Sequence, residues 1–192
     1  MKLYGSLTSP YVRRLRIWLE HTDYEFVALD IFSTEGRKTL EAVSPARKIP
    51  LLKLGKDTVY DSRMIFNYLN KKLQRETLDL DDENALTLID EANQAFVHLF
   101  LLSKSGIDVQ QDALYFNLQR ERISNLMLHL EGMVAAGHFK QWNYPAICLY
   151  CLLDWVDFRE LDQLDSTPAL KDFRDHHLSH EYVKKTDPRL NT

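Results

Sequence analysis

The chain has only two cysteines, Cys148 and Cys151, in 192 residues. Two are too few for a disulfide framework. No stretch reaches ~18 uninterrupted apolar residues, so no membrane-spanning helix is expected. The first residues, Met1-Lys2-Leu3-Tyr4-Gly5, lead into no long apolar region and no small-residue cleavage site. A secretory leader is therefore not expected, and a reducing cytoplasm is the expected location. Positive charge is not in excess either. The net charge is −4 and the pI near 6.0, which argues against nucleic acid as the main partner. There is no internal repeat and no low-complexity tract. What is there is an ordinary globular composition, 45% hydrophobic and 27% charged, in a chain long enough for one large or two small domains.

Hydrophobic periodicity separates two parts. Lys2-Leu3-Tyr4 reads as a strand. Pro10 to His21 reads as a helix with Val12, Leu15, Trp18 and Leu19 inward, and Glu25 to Leu29 as a second strand. Ser33 to Ala42 carries a capping signal for a short irregular helix, which Ser44-Pro45 ends because the residue before proline avoids helical backbone. Ile49 to Leu54, a turn at Gly55-Lys56-Asp57 and Thr58 to Tyr60 form a hairpin, and Asp61-Ser62 caps a helix to about Lys72. The order β-α-β-α-β-β-α over residues 1–75 predicts an α/β sheet with helices on its faces and an antiparallel edge. The acidic stretch 76–83 reads as a linker. Residues 84–192 read as all-α: Asn84 to Leu102, Asp112 to Val134 closed by Gly137, Tyr144 to Arg159, and Pro168 to His177 after Ser166-Thr167. The polar Lys184 to Pro188 is expected to fray.

Three places carry chemistry. Ser9 is a good N-cap and Pro10 suits the first helical position, so a hydroxyl and a helix N-terminus converge where an anion such as a thiolate could bind. A plain helix start is the alternative. Pro50 at the entrance of an interior-looking strand removes a ladder donor. A cis Ile49-Pro50 bond is one solution, and it would turn the Ile49 main chain outward to pair with an extended peptide. A trans proline at an edge strand is the other. Asp61-Ser62 at a second helix start could hold a carboxylate, or could be an ordinary cap. Together they make a peptide-shaped site: an anionic sulfur at one end, backbone pairing in the middle, a carboxylate at the far end. That describes glutathione.

With Ser9-Pro10-Tyr11, Lys48-Ile49-Pro50 and Asp61-Ser62 in this order and spacing, the chain resembles the glutathione S-transferases. Leu152-Leu153-Asp154-Trp155-Val156-Asp157-Phe158-Arg159 and Thr167-Pro168-Ala169-Leu170 extend the likeness to nearly the whole chain. It is most similar to small bacterial members with serine at the active position. The resemblance implies a thioredoxin-like glutathione-binding domain followed by an all-helical domain, a homodimer, and glutathione as co-substrate with no metal. Ser9 would donate a hydrogen bond to the glutathione thiolate, and Ile49 would pair with its cysteinyl backbone. Asp61 and Ser62 would hold the γ-glutamyl end. Lys48 would reach the glycyl carboxylate, with Arg37 or Lys38 as helpers. In the family's arrangement the electrophile lies in a cleft between the domains, which makes Leu7, Tyr11, Phe96, His98 and Phe100 candidates for its wall. The reaction implied is conjugation of glutathione to a small apolar electrophile. The alternatives are a glutathione-dependent isomerase or peroxidase, and a non-catalytic interaction module resembling the stringent-starvation proteins that bind RNA polymerase.

Some residues depart from the family's pattern. Ser9 and Val12 stand where glutaredoxin-like relatives place two cysteines, so dithiol chemistry at this turn is disfavoured. Asp61 is one methylene shorter than the usual glutamate. Ala146 replaces the aspartate that closes a capping box, which predicts a loss of ~1 kcal/mol in the helical part. Cys148 and Cys151 have Cys-x-x-Cys spacing but lie inside an apolar helix, where thiols are inert. His176 and His180 would share a helix face, yet no third ligand pattern accompanies them. Arg13, Arg14 and Arg16 read as a solvated face with one buried ion pair, or as direct ligands.

Overall fold

The computed structural model describes residues 1–191. Contacts divide the chain into two units, Met1–Thr77 with the segment from His180 onward, and Leu78–Ser179. Among the described residues no helix is long and apolar enough to cross a membrane.

The first unit follows the expected order: β1 (Lys2–Gly5), α1 (Pro10–Trp18), β2 (Glu25–Ala28), α2 (Thr34–Val43), β3 (Leu51–Leu54), β4 (Asp57–Tyr60) and α3 (Ser62–Leu73). The sheet order is β2-β1-β3-β4, with β1 and β2 parallel and the other pairs antiparallel. The connections dictate this. A parallel pair needs a crossover, which α1 supplies, whereas β3 and β4 are joined by a tight turn in which Gly55 takes a φ of +59°. Tyr4 and Leu51 oppose each other in register and pack with Leu29 and Leu40 in one cluster. The next pair, Leu3 and Leu52, points to the opposite face and is fully buried. Trp18 of α1 packs edge-on against Phe66 of α3, ring centroids 5.0 Å apart. Gly5 permits the close approach of α1 to the sheet: a Cβ there would lie 2.4 Å from Val12 Cγ2.

Helix α1 ends at Trp18 rather than His21. Its last turn tightens as Glu20 N–H donates to Ile17 O at 3.0 Å, and His21 takes a φ of 61°. The expected irregular helix after Ser33 is a regular one, α2, with the Ser33 hydroxyl accepting from Gly36 N–H at 3.0 Å.

The second unit is helical: α4 (Leu80–Lys104), α5 (Leu114–Ala135), α6 (Tyr144–Phe158) and α7 (Pro168–His177). Helix α6 is buried from Tyr144 to Val156 and forms the core of this unit. The expected linker 76–83 is corrected at both ends. Asp79 and Asp82 form a capping box, each side chain accepting the other's backbone N–H, at 2.9 and 3.4 Å. Acidic residues in a first turn suit the helix dipole, so the run begins α4 instead of separating domains. Glu76 is also fixed, within the first unit: it accepts from Trp18 Nε1–H at 2.7 Å and exchanges two bonds of 2.9 Å with Asn70. Gly137, with φ +82°, closes α5 as expected. Cys148 and Cys151 are free and fully buried in α6. His176 and His180 do not share a helix face, because α7 ends at His177.

The terminal segment departs most from expectation. Lys184 to Pro188 does not fray. A short helix α8 (Glu181–Lys185) packs on α1, and Val183 and Thr186 are buried. Arg13 and Arg14 are 4% and 0% exposed, so the solvated-face reading fails for them. Arg13 donates from Nε to Thr186 Oγ1 at 3.3 Å and from a terminal nitrogen to Val183 O at 3.1 Å. These acceptors satisfy donors of a buried guanidinium. The segment expected within the all-helical domain 84–192 thus belongs to the first unit from His180 onward.

Candidate functional site

The register gathers the three sequence-predicted pieces at one end of the four-stranded sheet. Tyr4 near the end of β1 pairs with Leu51 at the start of β3, and Leu51 pairs with Tyr60 at the end of β4. The residues just past these pairs are the Ser6–Ser9 loop, Ile49-Pro50 and Asp61-Ser62. Asp61 N–H donates to Pro50 O at 3.3 Å, which ties the second and third pieces together.

Ser9 is the N-cap of α1, in extended backbone, and its Oγ accepts from Val12 N–H at 3.3 Å. Accepting leaves the hydroxyl hydrogen able to donate. Pro10 sits in the first turn, where a missing N–H carries no penalty. The loop before it is stiffened by its own hydroxyls. Ser6 Oγ and Thr8 Oγ1 are 3.2 Å apart, and Ser9 N–H donates to Ser6 O at 3.3 Å. Sequence reasoning missed Ser6, although a hydroxyl run Ser6, Thr8, Ser9 was visible there.

The Ile49-Pro50 bond is cis, one of the two forms the sequence left open. Pro50 is buried and Ile49 half-buried. No backbone hydrogen bond within the described chain engages Ile49, whereas its neighbours are held: Arg47 N–H donates to Ser44 O at 3.0 Å and the buried Ser44 hydroxyl to Lys48 O at 3.5 Å. Lys48 itself is exposed, as are Arg37 and Lys38 on α2. Arg47 pairs with Glu41.

Asp61 holds a φ of 72°, unusual for a residue with a Cβ. Its Oδ1 accepts from Arg63 N–H at 2.8 Å and caps α3. Ser62 begins that helix and is 2% exposed. Leu7 and Tyr11 are half-buried in the same unit, with the Arg14 guanidinium 4.8 Å from the Tyr11 ring. In the helical unit, Phe96 is buried on α4, Phe100 packs edge-on with Trp155 at 5.5 Å, and His98 Nδ1 lies 3.2 Å from the Tyr115 hydroxyl. Among the described residues no group of three histidines, cysteines or carboxylates could hold a metal ion.

Residues 3–76 match the family described as glutathione S-transferase, N-terminal domain. The whole chain is similar to an uncharacterized GST-like protein of Escherichia coli K12, YibF: 26% identical, covering 98% of each chain. Among solved structures, a glutathione S-transferase of Methylobacterium radiotolerans in complex with glutathione sulfonate has a TM-score of 0.81 at 21% identity, covering 96% of this chain and 93% of that one. A glutathione S-transferase of Methylobacillus flagellatus with glutathione bound has a TM-score of 0.80 at 21% identity, covering 96% and 98%. Residues 3–76 are thus similar to the N-terminal domain of the glutathione S-transferases, and the chain has the fold of the solved proteins of that name.

Proposed function

We propose that the protein is a glutathione transferase in which Ser9 stabilises the glutathione thiolate for attack on a small apolar electrophile. The observation that carries this reading is the convergence of Ser9, the Ile49 main chain and Asp61-Ser62 at one sheet end. The glutathione sulfonate and the glutathione bound in two solved neighbours support it from outside. Ile49 pairs with the cysteinyl backbone, Asp61 and Ser62 hold the γ-glutamyl end, and Lys48 meets the glycyl carboxylate with Arg37 or Lys38 nearby. Leu7 and Tyr11, half-buried in the first unit, meet the electrophile. The chain acts as a homodimer. The exposure of Tyr60, Met64 and Tyr68 at four-residue spacing, 39%, 57% and 40%, supports such a contact. A cytoplasmic location suits the two free, buried cysteines.

The chemistry asks little of the protein. A thiol of pKa about 8.5 is only a few per cent ionised at pH 7, and lowering it by about two units takes roughly 2.7 kcal/mol. A hydroxyl donor to an anion together with a helix N-terminus supplies energy of that order. The thiolate forms a sulfur–carbon bond to the electrophile while a leaving group departs or a proton adds. Ser9 only donates, so it needs no base and forms no covalent intermediate.

The test is the ultraviolet absorbance of bound glutathione thiolate against pH. Wild type and Ser9→Thr should show a thiol pKa well below that of free glutathione. Ser9→Ala should raise it by about one to two units, the loss of one hydrogen bond to a charged group. The same preparations should sediment at twice the 22.6 kDa chain mass. No glutathione binding at millimolar concentration would replace this reading with that of an interaction module on the same fold.

A further inference from the structure

The segment that leads into Ser9 is fixed at both ends and bridged in the middle by one residue. At one end Gly5 closes β1. Its carbonyl accepts from Leu29 N–H at 2.9 Å, and a Cβ on it would lie 2.4 Å from Val12 Cγ2. At the other end Ser9 O accepts from Arg13 N–H at 3.0 Å and opens α1. Ser6, Leu7 and Thr8 lie between, all half-buried. Ser6 spans them. Its carbonyl accepts from Ser9 N–H at 3.3 Å, which closes a β-turn. Its Oγ accepts from Thr8 N–H at 3.4 Å and lies 3.2 Å from Thr8 Oγ1. Among the described residues no other group bonds to both Thr8 and Ser9.

The cap bond alone does not fix the Ser9 hydroxyl. Val12 N–H reaches Ser9 Oγ at 3.3 Å, longer than the usual distance of about 2.9–3.0 Å. A cap accepts through its oxygen and leaves the hydroxyl hydrogen free to rotate. Whether that hydrogen meets a sulfur depends on where Cα and Cβ of Ser9 stand, because a hydrogen bond weakens steeply as its angle closes. The turn sets that position. A serine hydroxyl that accepts from the N–H two residues on mimics a backbone turn, and Ser6 does so. The hydroxyl pair adds a second constraint: it shares one hydrogen, whichever oxygen donates, and ties the Thr8 side chain to Ser6. Every bond in the turn joins uncharged groups. A neutral substitution there changes the field at a bound thiol only by changing geometry.

We infer that Ser6 and Thr8 are positioning residues for the thiolate, which act through Ser9 by holding its hydroxyl aimed at the glutathione sulfur. The inference rests on the role of Ser9 proposed above. It adds that the thiol is made acidic by three hydroxyls in one turn, of which only Ser9 touches the sulfur.

The experiment is a double-mutant cycle on the full chain, read as the pKa of bound glutathione from its thiolate absorbance. Ser6→Ala should raise that pKa by about 0.5–1 unit, about threefold to tenfold less thiolate at a fixed pH below it. Ser6→Thr keeps the hydroxyl and should stay near wild type. Thr8→Val keeps the Thr8 N–H bond and loses only the hydroxyl pair, so it should shift the pKa the same way by less. At low pH, where the thiol stays protonated, all of these variants should bind glutathione alike, because Ile49, Asp61 and Ser62 are untouched. The deciding comparison is in the Ser9→Ala background. Adding Ser6→Ala there should move the pKa no further, because the group it positions is gone. Additive shifts would mean that Ser6 touches the sulfur itself or disturbs the whole fold, and would overturn the proposal. So would a pKa unchanged in Ser6→Ala. If Ser6→Ala does not fold, Thr8→Val with and without Ser9→Ala decides by the same rule. A pKa that Ser9→Ala leaves unmoved ends the conjugation reading as well. One that Ser9→Ala moves and the turn variants do not ends this proposal alone.

Discussion

In the first unit the candidate site is made of chain ends: the N-cap Ser9, the main chain of Ile49 and the N-cap Asp61, all placed by strand register. In the helical unit a cavity is made of side chains from α4, α5 and α6 and the loop after α6, among them Phe96, Met127 and Arg159. A backbone-built site leaves marks in the sequence, because caps and prolines obey local rules. A side-chain cavity leaves almost none, because what a phenylalanine or arginine lines is decided by packing across tens of residues. The first kind therefore suits a ligand common to many relatives. The second kind is where members of one fold diverge.

The comparison breaks most sharply at Gly5. Its missing Cβ is what lets Val12, itself 1% exposed, sit against the end of β1. Gly5→Ala should destabilise by about 3 kcal/mol, the upper range for overpacking a buried contact. It should also loosen the Ser9 start and weaken glutathione, yet leave the amide protection of α6 in the helical unit intact. Thermal unfolding, a glutathione titration and amide hydrogen exchange read this out. Val12→Ala in the same chain should recover much of the loss, since the two residues touch. A loss below about 0.5 kcal/mol, typical of a surface change, would mean that the close approach does not set the geometry.

Arg13 sharpens the same contrast with a smaller effect. Its hydrogen bonds to Thr186 and Val183 O fasten α8 to α1, and bonds from a charged donor contribute about 1.5–3 kcal/mol. Arg13→Met should lower stability by about 2 kcal/mol on that scale and make the chain cleavable by trypsin at Lys184 or Lys185. A terminal segment that stays protected would show that apolar burial of Val183, not the guanidinium, holds it.

Legibility in the sequence followed the same division. Ser9-Pro10, the hairpin turn at Gly55 and the cap at Asp61 were readable because each is settled within about four residues. The α4 start was misplaced because Asp79 to Glu83 is polar enough to pass for a linker, and only the reciprocal spacing Asp79/Asp82 betrays a capping box. Arg13 and Arg14 were misread for a different reason. Nothing local says that acceptors 170 and 173 residues away will cover Arg13. Likewise His176 and His180 looked like helix neighbours until α7 ended between them.

The smallest predicted effect concerns how helices begin in the two units. Helix α1 is capped by Ser9, its own neighbour, and α7 by a residue 38 positions away: Glu131 of α5 accepts from the N–H groups of both Ala169 and Leu170 at 2.8 Å. Thr167, the residue that the sequence offers as the cap, makes no such bond. Its hydroxyl donates to Leu164 O at 3.4 Å instead. Glu131→Ala should therefore destabilise by about 1 kcal/mol, the usual effect of a lost cap, and Glu131→Gln by less, because an amide oxygen still accepts. Amide hydrogen exchange locates the change, with Ala169 and Leu170 expected to exchange faster in Glu131→Ala and the first turn of α1 unaffected. Thr167→Ala alone should leave those two amides as protected as in wild type. If it exposes them instead, the cap of α7 is local after all, and the two units start their helices by the same rule.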